Sequence, residues 1–278
     1  MRARSAMWQC GGWTIHHNVC NLNGCNIAIY MTNENRRLDT VYNNVFFGSL
    51  YTSTSASGVA VIKADVSNYD NDFVNNSFYV TMPGQGLGSI IASDGITGIG
   101  TVPTTTNRIR GNVFHLTGVG TCIAQTIDAT TMLPRPFFSD HNVFHAPNGE
   151  IGRLGSAAPG ITTLAAWQAA TGQDAASVQA DPLYRNVASN PPDLRIRPGS
   201  PAKDLALLTP AYVTTDLLGR LRDALPDAGA FEGTSFVAYG QGCPGTGSLV
   251  PALSHSGTVA LGSPVSIDLQ NALANTAA

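Results

Sequence analysis

The stretch Tyr42–Gly48, YNNVFFG, decides the fold because the chain repeats its centre. VNNSFYV (74–80), RGNVFHL (110–116) and DHNVFHA (140–146) carry the same Asn-x-Phe, and HHNVCNL (16–22) is a weaker copy with Cys in place of Phe. Anchored on Asn18, Asn44, Asn76, Asn112 and Asn142, the copies lie 26, 32, 36 and 30 residues apart. A fixed local motif at variable spacing indicates a constant structural position joined by loops of differing length. Helical repeats keep a stricter period and space their apolar residues for a helix. Here apolar residues alternate, so the units are short strands. Units of 26–36 residues have room for about three short strands and their turns, the size of one coil of a parallel β-solenoid.

The Asn column suits a tight turn between two strands, because Asn tolerates unusual backbone angles and bonds nearby backbone. Stacked coils set such side chains ~4.8 Å apart. At that spacing their amides join into a ladder. The column Cys20, Phe46, Phe78, Phe114, Phe144 then stacks in the core. A second strand series follows Gly or Ser clusters: GCNIAIYM, SGVAVIKAD, LGSIIASD and VGTCIAQTID, aligned on Ile29, Val61, Ile91 and Ile123 as an inward column.

The repeats stop after Asn142. ITTLAAWQAATG (161–172) reads as a short amphipathic helix ending near Gly172. Residues 181–233 are rich in Pro and Asp, and the remainder has strand-like runs between Gly and Pro turns. The expected organisation is all-β: coils over 1–160, a helix plus closing segment over 161–233, and a partial C-terminal β module over 234–278.

Composition agrees. A hydrophobic share of 43% supports a real core, and the low charged share of 12%, with polarity carried by Asn, Thr, Ser, Gln and Gly, favours turn-dense β architecture. A net charge of −3 gives no general attraction to nucleic acid or anionic membranes. No apolar run reaches the roughly 18 residues of a membrane span. The opening residues lack the apolar core of a secretory signal. Five cysteines without a CxxC pair give no zinc or redox signature, and Cys20 and Cys122 read as small buried hydrophobes.

The Asn-x-Phe coils, followed by LAAWQAATGQDAASVQADPLY, DLRIRPGSPAKD and PDAGAFEG, resemble the C-terminal half of secreted bacterial right-handed parallel β-helix proteins, pectin-lyase-like in fold. In that family the last three segments close the end of the helix. The likeness covers about residues 13–233, and YGQGCPG is more weakly similar to C-terminal β modules of exported bacterial proteins. It implies secretion or display at the cell surface, a monomeric full-length form, and a signal peptide, N-terminal cap and earlier coils upstream. A stack lacking that cap exposes strand edges, so poor solubility is expected of this chain expressed alone.

Enzymes of this fold act on polymers in a groove along one flank. A uronic-polymer lyase needs a base for the C5 proton and a cation for the carboxylate. A glycosidase needs paired carboxylates. The second strand series supplies the best outward cluster: Lys63 and Asp65 as catalytic candidates, with Tyr30, Asp94 and Asp128 toward substrate. Strand alternation opposes Lys63, which shares a face with Val61 unless a bulge intervenes. The acids are also candidate ligands for Ca²⁺, the one cofactor the pattern suggests.

Arg108 and Arg110 flank Ile109 on one face and suit an anionic polymer, which places Arg110 in the substrate set. Two further outward columns vary from coil to coil: His16, Tyr42, Val74, Arg110, Asp140; and Asn21, Phe47, Tyr79, His115, His145. Their aromatic and His side chains either stack on sugars or cover the surface beneath a loop. Tyr42 and Phe47 are the stronger candidates for contact with a partner. His17 and His141, four intervals apart, lie roughly 19 Å from each other and form no common metal site. Asp204, Asp227 and Glu232 read as structural. Two functions remain: a polysaccharide lyase or glycosidase on an extracellular polymer, or a non-catalytic exported adhesion solenoid.

Overall fold

The computed structural model describes residues 12–31, 36–37, 39–50, 59–65, 68–82, 88–94, 107–125, 137–155, 158–233, 252–256 and 266–270; at 36–37, 65, 68–69, 94, 252–256 and 266–270 it describes backbone alone. The chain divides into two units, 1–232 and 233–278. In the second, Ala252–Ser256 pairs antiparallel with Ser266–Gln270.

The first unit is a parallel β-solenoid whose successive coils each add a strand to three sheets. Sheet 1 stacks Thr14–His16, Thr40–Tyr42, Asp72–Val74, Asn107–Arg110 and Phe137–Asp140. Sheet 2 stacks Val19–Asn21, Val45–Ser49, Ser77–Met82, Val113–Gly118, Val143–His145 and Val178–Gln179. Sheet 3 stacks Ile27–Met31, Ala60–Asp65, Ser89–Asp94, Thr121–Gln125 and Glu150–Leu154.

Between sheets 1 and 2 each coil turns at the Asn column. Asn44, Asn76, Asn112 and Asn142 are fully buried. Each ladder amide donates to the next Oδ1, at 3.0 Å (Asn18 to Asn44), 3.0 Å (Asn44 to Asn76), 3.1 Å (Asn76 to Asn112) and 3.2 Å (Asn112 to Asn142). The same Oδ1 atoms accept the backbone N–H of the preceding Asn. The left-handed backbone, however, falls one residue earlier than expected, at His17, Asn43, Asn75, Gly111 and His141 (φ 50–63°). The ladder Asn supplies the bonds and its neighbour supplies the bend. Beside it, Phe46, Phe78, Phe114 and Phe144 stack with 5.2 Å between ring centroids.

In sheet 3 the register aligns Ile29, Ile62, Ile91 and Ile123, not Val61. Val61 and Ile62 are both fully buried, so apolar pattern does not separate them; the hydrogen-bonded register does. With Ile62 in the column, Lys63 falls on the opposite face and pairs across to Tyr30 and Ala92.

The last coil is closed by the helix Leu164–Thr171, capped by Thr163 at its start and by left-handed Gly172 at its end (φ 68°). Trp167 is fully buried in the solenoid core and donates from Nε1 to Asp174 Oδ2 at 2.8 Å. Asp174 Oδ1 receives Asn142 Nδ2, Ser139 Oγ and Ser177 Oγ, so this carboxylate terminates the Asn ladder. Burial raises the Asp174 carboxyl above its ordinary range, against the lowering effect of those bonds.

Candidate functional site

The segment 200–232 does not close the end of the stack. It runs back along the corner between sheets 1 and 2, held by the left-handed residues of the turns. His17 Nε2 donates to the Asp216 carbonyl at 2.7 Å, Asn75 Nδ2 to the Asp227 carbonyl at 3.0 Å, and Gly229 N–H to the Gly111 carbonyl at 2.7 Å. Asn43 Oδ1 accepts from Arg222 at 2.8 Å. Arg222 also reaches Glu232 Oε2 at 3.0 Å, and both side chains are buried. The main chain at Asp204 donates to Asp227 Oδ1 at 2.7 Å. These groups fasten the segment to the turns of the solenoid.

The outer face of sheet 2 is thereby covered. Val45, Phe47, Val113 and Val143 join Tyr184, Leu194, Ile196 and several alanines of the closing segment in a second core. Phe47 is 8% exposed, which removes it from the candidates for contact with a partner. Its column continues at the margin of this cover through Tyr79, His115 and His145, with Tyr79 4.9 Å from His115 and His115 4.5 Å from His145 between ring centroids. The Tyr184 ring lies nearly parallel to His115 at 5.9 Å. Burial, with His145 adding to it and Asp181 opposing, pushes the His115 imidazole down to about 4.

Sheet 1 carries a cluster of aromatic and charged groups on its outer face. His16 and Tyr42 stack with rings 4.8 Å apart and 4° from parallel, and Tyr212 of the closing segment meets Tyr42 at 5.6 Å, tilted by 65°. The Tyr212 hydroxyl donates to Asp72 Oδ2 at 3.0 Å. Asp72, 7% exposed, also receives Arg108 Nε at 2.8 Å and Arg110 Nη2 at 3.0 Å. Arg110 therefore sits on this flank, paired with a carboxylate. His16 and Tyr212 are exposed and Tyr42 is half-buried.

The other sequence-derived candidates lie on sheet 3. Lys63 Nζ sits over the Tyr30 ring at 5.4 Å. Asp65 and Asp94 are register partners on neighbouring strands, described in backbone only. Asp128 lies outside the described residues, as do the side-chain positions that would hold Ca²⁺. The structure thus groups Tyr30, Lys63, Asp65 and Asp94 on one sheet and places Arg110 on another.

No family model, curated protein or solved structure matches this chain. Among the described residues no helix is long and apolar enough to cross a membrane.

Sequence reasoning missed three participants. Asp72 and Tyr212 are separated by 140 residues, and only the return of the closing segment joins them. Asp181 meets the His115–His145 pair for the same reason. A second polar ladder also escaped notice: Asn71 Nδ2 donates to Asn107 Oδ1 at 3.0 Å, and Asn71 Oδ1 accepts the Asp39 N–H at 3.3 Å. Its signal was an Asp or Asn five residues before three of the five ladder Asn: Asp39 before Asn44, Asn71 before Asn76 and Asn107 before Asn112.

Proposed function

We propose that this chain is a saccharide-binding β-solenoid that engages an extracellular glycan polymer across sheet 1. The observation that carries the reading is the His16–Tyr42–Tyr212 cluster running into the Asp72–Arg110–Arg108 network. Sugars present apolar C–H faces and a fringe of hydroxyls. Aromatic rings take the first, and planar charged groups held in fixed geometry take the second. The parallel stack lays these groups along the solenoid axis, which suits a chain-like ligand. The bonds within the network hold the side chains in place, which lowers the ordering cost of binding. The pectin-lyase-like resemblance, and the export that it implies, agree with this reading.

Isothermal titration against neutral and acidic oligosaccharides tests it. Tyr212→Ala leaves Asp72 bonded to both arginines and is expected to weaken binding about tenfold, a loss of about 1.4 kcal/mol. Absence of binding across the panel, or wild-type affinity in both Tyr212→Ala and Arg110→Ala, would overturn it.

A polysaccharide lyase or glycosidase is the second reading, favoured by the register pairing of Asp65 with Asp94 beside Lys63. Strand neighbours lie ~4.8 Å apart, which suits two cooperating carboxylates. Product release from a uronic polymer that disappears in Lys63→Ala would support it, and its absence in the wild type would refute it.

A further inference from the structure

We propose that His115, His145 and Asp181 form a binding site for a divalent transition ion of the Zn²⁺ class, tying the closing segment to the last two coils. One ligand atom from each residue lies within 4.8 Å of the others. Ligands of a tetrahedral Zn²⁺ sit about 2.0–2.1 Å from the metal and so about 3.4 Å from one another. Small side-chain rotations bring this trio to that spacing.

The arrangement is built by the fold. The parallel register pairs His115 with His145 on adjacent strands of sheet 2. Asp181 arrives after Val178–Gln179, the strand that extends the same sheet. Its Oδ1 accepts the Leu183 N–H at 2.8 Å, which orients the carboxylate and leaves Oδ2 for a ligand. Tyr79 and Tyr184 both lie against the His115 imidazole.

Two observations point to an ion rather than to mutual pairing. Among the described residues no hydrogen bond joins either imidazole to the carboxylate, and His115 Nδ1 is buried without a hydrogen-bond partner. Buried polar atoms are seldom left so. A donor set of two imidazoles and one carboxylate selects Zn²⁺, Co²⁺ or Ni²⁺ over Ca²⁺ and Mg²⁺, which prefer oxygen. Three protein ligands leave a fourth position for water. The site is independent of the glycan-binding face on sheet 1.

The test uses the full chain stripped with a chelator. Titration with Co²⁺ is expected to give one equivalent bound, with the visible absorption of a low-coordinate N/O site that Zn²⁺ abolishes and Ca²⁺ does not. Zn²⁺ should also raise the melting temperature. Asp181→Asn, at an exposed position, and His145→Gln should each weaken Zn²⁺ binding at least tenfold while keeping the wild-type circular dichroism. No Co²⁺ absorption and no Zn²⁺ uptake at about 100 μM would overturn the proposal, as would undiminished binding in both variants.

Discussion

Asn76→Ala removes the middle rung of the ladder. The Asn76 amide is fully buried. Its Nδ2 donates to Asn112 Oδ1 at 3.1 Å and to the Val41 carbonyl at 2.8 Å. Its Oδ1 accepts Asn44 N–H and Asn44 Nδ2, both at 3.0 Å. Four buried bonds vanish together, at about 1 kcal/mol net apiece, and water does not replace the lost partners. The expected loss is about 4 kcal/mol, which for a unit of this size lowers the melting point by roughly 10 °C. Asn18→Ala is the internal comparison. It loses one ladder bond and one bond to the His16 carbonyl at the exposed start of the same column, so about 1 kcal/mol or less is expected. Differential scanning calorimetry and urea unfolding of the two variants measure both. If Asn76→Ala shifts the midpoint no more than Asn18→Ala, the ladder is an incidental alignment and not a source of stability.

Two further outcomes follow from packing and titration. A Cβ on Gly152 would overlap the Trp167 ring, so Gly152→Ala should displace the indole and loosen its bond to Asp174. Red-shifted tryptophan emission and a loss of about 2–3 kcal/mol are expected; an unchanged spectrum and midpoint would show that the seat is loose. Burial, reinforced by Asp227 and opposed by Arg222, pushes the Glu232 carboxyl up to about 7 from an ordinary 4.5. Between those values the folded chain holds a proton that the unfolded chain has released, so this group's contribution falls as pH rises through the window. Glu232→Gln lacks that titration. Its stability relative to wild type should therefore improve by on the order of 3 kcal/mol from about pH 4.5 to pH 7.5, and a constant difference in urea midpoints would refute the assignment.

Much of the solenoid is legible in the sequence alone. Each coil repeats the same short strand, so aligning the copies aligns the structure: Asn44 over Asn76 and Phe46 over Phe78 are neighbours in both. The helix was legible for a local reason, since Thr163 and Gly172 mark its ends within the segment itself. The column of Ile29 was misread because Val61 and Ile62 are adjacent, apolar and β-branched, and only backbone pairing tells them apart. The bend residue was misplaced because Asn satisfies both demands of a tight turn, and these coils divide the demands between two positions.

The candidate site was less legible. Tyr42 and Arg110 on sheet 1, and His115 and His145 on sheet 2, were visible as columns that vary between coils, because the parallel register stacks equivalent positions of successive coils. Their partners were not. Asp72 is sequestered by two arginines and a tyrosine from the closing segment, Phe47 is roofed by that segment, and Asp181 is carried to the histidines by it. By itself the sequence determined the repeating cross-section, since strand alternation and side-chain ladders are local and recur in every coil. Only the tertiary structure decided which flank is covered and which residues meet across it. The closing segment has no repeat to align with, and its path depends on a few hydrogen bonds to turn residues far away in the chain.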